Sequence, residues 1–494
     1  MLNKVTKKDI LIFSGLFLLA FAVVFISCLN PFTSKELDTD TSLYLTIAQG
    51  ITRGQVPFRD FVDNKGPLVY LISTPGMFLG GFLGVWLTEL IFMFISVLFA
   101  YKTALFFGEK KYAFWAVIFS FIVFQSFFYE AAGTEEYALP FIMISLYIFV
   151  KYFFTQKEPP FYELLILGIC CAVSFFIRIN MFPLWLGFCI AIVIESLFKR
   201  KFLPLLRYIL FFSAGLLIAA IPVFLYLYLN NAFFDYIHQN FIVGGSRGFS
   251  GFSIKGFTKS FFMVLEKNYC YLPLPFYFAW IVKKYKNVSV FLYIGLLLSY
   301  ILTAVFLAVI QVDIDHYNMV LVPFLIPVFT VCTKFIFEYF STVKYKKIVL
   351  SLFISILFAK MLLAYFFGDF GVYAIIKDTS RREAISVGKI IDQNTNKDDT
   401  IIFMGKPYYI YLFTERKAAS RYIYQGSGIN YDPNARKEFL EDMQNNKPAI
   451  IGIRNIEGNY DHLPDWYLPV YDMIENEYHI LYDSDRYFLF KRGL

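Results

Sequence analysis

The chain has 494 residues, of which 58% are hydrophobic and only 17% are charged, and its mean hydropathy is +0.57. Soluble domains carry about a quarter charged residues, so this composition excludes an ordinary soluble protein and predicts a polytopic α-helical membrane protein. The net charge of +7 fits basic loops between membrane spans, and we expect no nucleic-acid partner. The six cysteines lie within or at the ends of apolar runs without metal-ligand spacing, which predicts packing residues with free thiols.

Hydrophobic runs of about 20 residues predict about eleven transmembrane helices in a bundle. These helices are expected to begin near Ile10, Gly81, Tyr112, Tyr137, Tyr162, Met181, Leu205, Tyr269, Val288, Tyr317 and Ile348. The first run follows Lys4, Lys7 and Lys8 but is too long for the core of a signal peptide, so we expect a retained span. Residues 68–79, which Pro75 interrupts, are expected to form a bent approach to the second span.

Lysine and arginine residues predict the orientation of these spans. With the N-terminus in the cytoplasm, every predicted cytoplasmic turn is basic, as the positive-inside rule requires. These turns contain Lys110 and Lys111; Lys151 and Lys157; Lys199, Arg200 and Lys201; Lys283, Lys284 and Lys286; and Lys344, Lys346 and Lys347. We therefore predict a multi-pass plasma-membrane protein with an extracytoplasmic C-terminus. Its abundant Phe, Ile, Lys and Asn are typical of an AT-rich bacterial genome.

The first outer loop, residues 31–67, concentrates charged residues beside the membrane. It contains Asp38, Asp40, Asp60, Asp63, Lys65, Arg53 and Arg59. Residues 40–50 predict a short amphipathic helix, at whose start the Asp40 carboxylate would be fixed beside free backbone amides. Glycine and proline turns would then return Lys65 to the same surface. A fixed carboxylate facing a fixed cation suits chemistry on a lipid-linked phosphate, and the structural alternative is a solvated loop.

Further outside elements would converge on this loop in a compact bundle. They are Glu135 with Glu136, Arg178 with Asn180, and the run from Asp313 to Tyr317. Each also has a purely structural interpretation: the two glutamates would cap a helix, Arg178 would contact lipid phosphate, and His316 would pack at a helix start. Arg247 lies in a glycine-rich segment that would either close onto an anionic group or form a plain flexible loop. The sequence has no phosphate-loop pattern, so nucleotide binding is not indicated.

The composition changes to that of a soluble domain at about residue 370, which divides the chain into a membrane domain, 1–369, and a C-terminal domain, 370–494. In the second part, residues 379–396 and 434–446 predict helices, and residues 400–404 and 449–453 predict strands. Residues 478–491 predict a terminal hairpin. The alternation of helices and strands indicates a small extracytoplasmic α/β domain.

The run DTSLYLTIAQGITRGQVPFRDFVDNKGPLVY, residues 40–70, resembles the first outer loop of GT-C glycosyltransferases. The similar branch contains the protein O-mannosyltransferase-like and aminoarabinose-transferase-like enzymes. The residues that match in order are Asp40, Tyr44, Gly54, Asp60 and the Lys65-Gly66-Pro67 triplet. Thr134-Glu135-Glu136-Tyr137 resembles the second acidic motif of the family, and His316-Tyr317 resembles a frequent outer-end pair. The resemblance covers the membrane domain well and the C-terminal domain loosely.

This resemblance implies an inverting transferase that moves a sugar from a polyprenyl-phosphate donor to a glycan, lipid or protein hydroxyl of the cell envelope. Asp40 would be the general base. Lys65, Arg178 and Arg247 would bind the donor phosphate, while Asp38, Glu135 and Glu136 would orient the acceptor. Tyr44, Asp60, His316 and Tyr317 would support the site. A divalent cation, Mg²⁺ or Mn²⁺, would be held by Asp40 with Glu135 or Glu136, although Asp40-Thr41 replaces the Asp-Glu of many relatives and leaves a metal requirement open.

Three other functions remain compatible with the sequence. A flippase or transporter of lipid-linked sugars would use similar charged clefts, but it needs charges and broken helices near the middle of the membrane. A polymerase or ligase of surface polysaccharide and a glycan-binding receptor are the other two. Because nearly all acidic residues lie at predicted outside ends, the sequence favours catalysis at the outer face.

Overall fold

The computed structural model describes residues 6–493 except for positions 129–130, 246–251, 267–270, 272, 286–287, 310–314, 342–344, 346–347, 349–350, 352–354, 356–358, 360–361, 364, 368–370, 406–407, 426–428, 430–431 and 455–464. The described chain forms a large helical part followed by a small part that combines helices with a sheet. This arrangement confirms the predicted class, a polytopic helical protein with a C-terminal α/β domain.

Most helices of the helical part are apolar, and their lengths range from five to 38 residues. In chain order they are α1 (Lys7–Phe25), α2 (Thr39–Thr52), α3 (Pro67–Ala104), α4 (Lys110–Gln125), α5 (Thr134–Thr155), α6 (Phe161–Ile177), α7 (Pro183–Phe198), α8 (Phe202–Leu229), α9 (Phe233–Ile237), α10 (Ile254–Glu266), α11 (Leu274–Lys284), α12 (Val290–Ala308) and α13 (Leu325–Ser341). A 3₁₀ segment, Asp315–Phe324, leads directly into α13.

Six stretches of the described chain are long and apolar enough to cross a membrane, namely α1, α3, α5, α8, α12 and Asp315–Phe340. Helices α6 and α7 are apolar but shorter. The chain is thus a multi-pass membrane protein, as its composition predicts. The count of eleven spans stays a prediction, because several of the expected helices are shorter than a bilayer needs. The last expected span, near Ile348, falls largely outside the described residues.

The predicted bend before the second span is confirmed, but it lies at a glycine rather than at Pro75. Within α3 the backbone leaves the helical conformation at Gly81, where φ is +57°. The two arms then meet closely, since a Cβ on Gly84 would lie 2.1 Å from the carbonyl oxygen of Gly76. Glycine is needed at both kinds of position, for the left-handed φ and for the close approach of the two backbones.

Helix α2 is the predicted short helix of the first outer loop. Asp38 is its N-cap, and the Asp38 carboxylate accepts a hydrogen bond from the Asp40 amide at 3.0 Å. The amphipathic pattern is wrong in one respect, because every residue from Thr41 to Ala48 is buried. The reason is tertiary: α2 packs against α3 on one side and against a 3₁₀ turn of the C-terminal part, Tyr408–Phe413, on the other.

The C-terminal part is built on a five-stranded mixed sheet of order β2-β1-β3-β5-β4. Its strands are β1 (Thr400–Met404), β2 (Lys417–Ala418), β3 (Ile450–Arg454), β4 (Tyr478–Asp483) and β5 (Tyr487–Arg492). Its helices are α14 (Val372–Lys377), α15 (Ser380–Asn394), α16 (Pro433–Asn446) and α17 (Leu468–Glu477). The predicted helices, strands and terminal hairpin are confirmed within a few residues. The two-residue strand β2 and the helices α14 and α17 were not predicted.

The C-terminal part also holds the chain between α1 and α2. Glu36 forms ion pairs with Arg454 at 2.9 Å and with Arg486 at 3.2 Å. The buried Arg381 guanidinium donates to the carbonyl of Lys35 at 2.9 Å and to the carbonyl of Cys28. These contacts immediately precede Asp38, so the C-terminal part fixes the start of α2 and with it the direction of Asp40.

Candidate active site

Asp40 lies in the first turn of α2 with its carboxylate facing a lysine. Its Oδ2 atom is 3.9 Å from the Lys65 Nζ atom and accepts a hydrogen bond from the Tyr44 hydroxyl at 3.0 Å. Burial alone would raise the pKa of the Asp40 carboxyl, but Lys65, His316 and Tyr44 outweigh it, and the pKa falls below its usual value. Because the side chain is still 37% exposed, an ionised carboxylate is held here within reach of a ligand.

Lys65 reaches Asp40 because the chain on either side of it is closely packed. The next residue, Gly66, donates its amide to the Ile177 carbonyl at 3.1 Å. A Cβ at Gly66 would lie 1.9 Å from the Phe176 carbonyl oxygen, so only glycine fits against the end of α6. Burial would lower the pKa of Lys65, but Asp40 and Asp63 raise it, and the ammonium stays charged.

Arg178 ends α6 directly beside the Gly66 contact. Its Nη1 atom lies 2.6 Å from Glu135 Oε1 at the start of α5, and its guanidinium stacks 4.1 Å above the Tyr317 ring. Both side chains of the ion pair are nearly buried, with 11% of Arg178 and 2% of Glu135 exposed. The arrangement therefore brings a second cation to the Asp40 side of the molecule, where its charge lowers the pKa of that carboxyl.

His316 and Asp38 complete the set of predicted residues that the structure brings together. His316 is buried in the first turn of the 3₁₀ segment, edge-on to Tyr317, and its charge acts on both Asp38 and Asp40. Burial and the neighbouring Asp40 carboxylate raise the pKa of Asp38. Asp38 and Asp40 thus have pKa values shifted in opposite directions, so Asp40 is the more readily ionised of the two carboxyl groups and Asp38 holds a proton more strongly.

Other predicted residues lie elsewhere or have structural partners. Asp60 accepts from the Val56 amide at 2.7 Å and forms a bidentate pair with Arg59 at 2.8 Å, which closes the turn after α2. Glu136 caps α5 by accepting from the Gly133 amide at 3.3 Å, the helix-capping interpretation. Arg247 lies outside the described residues.

Two residues near the site were not singled out by sequence reasoning. Asp63 is buried and accepts a short hydrogen bond from Tyr70 at 2.6 Å, and its charge acts on Lys65. Tyr408, in the C-terminal part, is completely buried, and its carbonyl accepts from Thr46 of α2 at 3.1 Å. The sequence offered Asp63 as one of several loop acids. It gave no signal for Tyr408, which lies more than 300 residues from Asp40.

The predicted metal ligands Asp40 and Glu135 face side-chain cations, and the divalent cation itself stays a prediction. In the described part of the chain, no group of three or more His, Cys, Asp or Glu side chains is placed to hold a metal. Asp40 and Glu135 each face a positively charged side chain, Lys65 and Arg178, and these cations already balance their charge. We therefore derive no catalytic step through a metal.

Comparison with known proteins identifies the family. Residues 2–334 match the family model of the Competence-induced Ccs4 N-terminal domain, which covers more than half of the chain. The chain belongs to this family. A sequence comparison with curated proteins gives no match.

Solved structures identify the fold. ArnT from Cupriavidus metallidurans is similar in its apo state, with a TM-score of 0.58 and 13% identity, over 97% of both chains. The structure of the same protein bound to undecaprenyl phosphate has a TM-score of 0.55 and 12% identity, again over 97% of both chains. The Archaeoglobus fulgidus oligosaccharyltransferase tethered to an acceptor peptide has a TM-score of 0.53 and 12% identity, over 99% of this chain and 74% of that chain. This member of the Ccs4 family therefore has the GT-C fold, as the first-loop motif predicts.

Proposed function

We propose that this protein is an inverting membrane glycosyltransferase that takes a sugar from a polyprenyl-phosphate carrier and passes it to a hydroxyl group of the cell envelope. The observation that carries the proposal is the pair of Asp40 and Lys65, 3.9 Å apart, at the start of a helix that the C-terminal part holds in place. The GT-C fold and the neighbour that binds undecaprenyl phosphate support the choice of donor class.

In the proposed reaction, Asp40 takes the proton of the acceptor hydroxyl as the oxygen attacks the anomeric carbon. The new bond joins that carbon to the acceptor oxygen, and the bond from the carbon to the phosphate oxygen breaks with its electron pair. The carrier leaves as polyprenyl phosphate. The lowered pKa keeps Asp40 ionised at neutral pH, so it is ready to accept the proton without prior deprotonation.

Lys65 and Arg178 would stabilise the leaving phosphate. Lys65 is a charged ammonium that donates to Asn64 at 3.3 Å and has further N–H groups for a ligand. Arg178 uses one face of its guanidinium on Tyr317 and one edge on Glu135, which leaves a preorganised cation whose orientation does not change during the reaction. We further propose that the site and the C-terminal domain, residues 370–494, face the outside of the cell.

The test uses the full-length protein in lipid nanodiscs with a panel of polyprenyl-phosphate sugars, and it measures release of the free carrier. At least one donor should be cleaved, and Asp40→Asn should slow the release by about 10²- to 10⁴-fold, because positioned proton transfer contributes that much. The exposed acid variant Asp398→Asn is the matched control. Release by Asp40→Asn at the natural rate would contradict the assignment of the base. A flippase would instead move the lipid-linked sugar across the bilayer without releasing the carrier.

A further inference from the structure

A cavity of about 180 Å³ lies where the first outer loop, the segment after α8 and the C-terminal part meet. The loop contributes Asp63, which is two residues from Lys65. The segment after α8 contributes Asp235 and His238, and the C-terminal part contributes Tyr424. A cavity of this size holds several ordered waters and is large enough to admit one sugar ring.

The walls of this cavity carry more negative than positive charge. Four carboxylates line it, from Asp63, Asp235, Asp432 and Glu438, and Arg421 is the single guanidinium among the lining side chains. Arg421 is already bound, at 3.2 Å from Asp235 and at 2.7 Å from Glu438. Such walls repel a phosphate and attract a positively charged ligand, and they do not repel a neutral one. The donor phosphate therefore belongs on the Lys65 and Arg178 side, away from these carboxylates.

The chemistry of the walls suits hydroxyl groups. The carboxylates accept hydrogen bonds, the amides of Asn64 and Asn434 both donate and accept, and Tyr422 and Tyr424 supply aromatic surface. Pockets of this kind, with a few directed polar groups beside aromatic rings, hold small ligands in one orientation.

A buried tyrosine of the C-terminal part packs behind one wall of the cavity. The Tyr408 side chain is fully buried, and its hydroxyl has no hydrogen-bond partner among the residues that the structure describes. Its ring lies edge-on to Tyr424, which lines the cavity, with centroids 5.8 Å apart. Burial raises the pKa of Tyr408, and the charges of Tyr424, Asp40 and Asp63 raise it further, so the hydroxyl stays protonated near both sites. The Tyr408 ring therefore supports the position of Tyr424 in the cavity wall.

We propose that this cavity binds the sugar residue of the acceptor and that this sugar carries no negative charge. The inference rests on the proposed glycosyltransferase function and adds the chemical class of the acceptor. It also gives the C-terminal part a role in acceptor binding.

The experiment measures binding of simple glycosides to the full-length protein in nanodiscs by saturation-transfer NMR. The probes are methyl β-glucoside, which is neutral, methyl β-glucosaminide, which is cationic, and glucuronate, which is anionic. The first two should bind, and glucuronate should bind at least about tenfold more weakly because of the carboxylates. Tyr424→Leu and Asp235→Asn should each weaken methyl β-glucoside binding, and the loss in Asp235→Asn should be about two- to tenfold, the effect of one hydrogen bond. Asp398→Asn is the control and should bind as the natural chain does.

Three results would overturn the inference. The first is binding of glucuronate as tight as that of the glucoside, and the second is glucoside binding that the cavity variants leave unchanged. The third is loss of glucoside binding when the protein is saturated with a cleavable polyprenyl-phosphate sugar, because the cavity would then hold the donor sugar. Asp40→Asn separates the two proposals, since it should retain glucoside binding while it loses carrier release. If no donor is cleaved but glucoside binding depends on Tyr424, the transferase function fails and the sugar site stands.

Discussion

Arg178 joins three elements of the bundle, because its guanidinium stacks 4.1 Å above the Tyr317 ring while its Nη1 atom contacts Glu135 at 2.6 Å. Tyr317 begins the 3₁₀ segment before α13, Glu135 begins α5, and Arg178 itself ends α6. The same ion pair would therefore hold the bundle together and present a cation to the leaving phosphate, and these two roles can be separated by mutation.

We predict that Arg178→Ala lowers both stability and turnover. The loss leaves the Glu135 carboxylate buried and unpaired, which typically costs about 3–5 kcal/mol. The double variant Arg178→Ala/Glu135→Gln should recover much of this stability, since it removes the unpaired charge. Turnover should stay about 10²-fold low in both, the usual effect of losing one preorganised donor. Thermal unfolding and carrier release measure the two properties. Full activity in the double variant would show that Arg178 acts only on stability.

Gly66 is predicted to be essential for the position of Lys65. Gly66→Ala would place a Cβ 1.9 Å from the Phe176 carbonyl oxygen, and overpacking of this kind costs about 1–3 kcal/mol. The loop must move to relieve the clash, so Lys65 would leave Asp40 and carrier release would fall. Gly80→Ala is the matched control, because a Cβ there meets nothing within 4 Å. Equal melting temperatures and equal turnover in the two variants would contradict this prediction.

The pH dependence of turnover should report the charge of Lys65. Lys65 lowers the pKa of Asp40, so the acid limb of the kcat/KM profile should lie below the usual aspartate pKa of about 3.9. For the same reason, ionised Asp40 stabilises the fold above the unfolded-state pKa, and this contribution disappears as the pH falls through the native value.

Lys65→Gln removes the positive charge that does most to lower the pKa of Asp40. The acid limb of the kcat/KM profile should therefore move to higher pH, and the maximal rate should fall. Lys397→Gln, which changes an exposed lysine, is the control. An acid limb at the same pH in natural and Lys65→Gln proteins would show that another group sets it.

The amino-acid sequence by itself determined the class of the protein, the position of its first outer loop and most local elements. Apolar runs predict the membrane helices because a span needs about 20 apolar residues and must satisfy its backbone hydrogen bonds internally. Both requirements can be checked from the local sequence alone. The start of α2 could also be predicted from the sequence, since Asp38 and Asp40 favour a helix N-terminus through local contacts. The Lys65-Gly66-Pro67 triplet is also a local pattern, and it was part of the resemblance to the GT-C glycosyltransferases.

Only the tertiary structure decided which distant residues surround Asp40. The contact of Arg178 with Tyr317, the burial of all sides of α2, and the approach of Tyr408 depend on packing between elements separated by up to several hundred residues. The same holds for Glu36, whose partners Arg454 and Arg486 lie in the C-terminal part. Periodicity reports the face that a residue occupies on its own helix, but a contact between helices also depends on their relative rotation and depth, which no local pattern encodes.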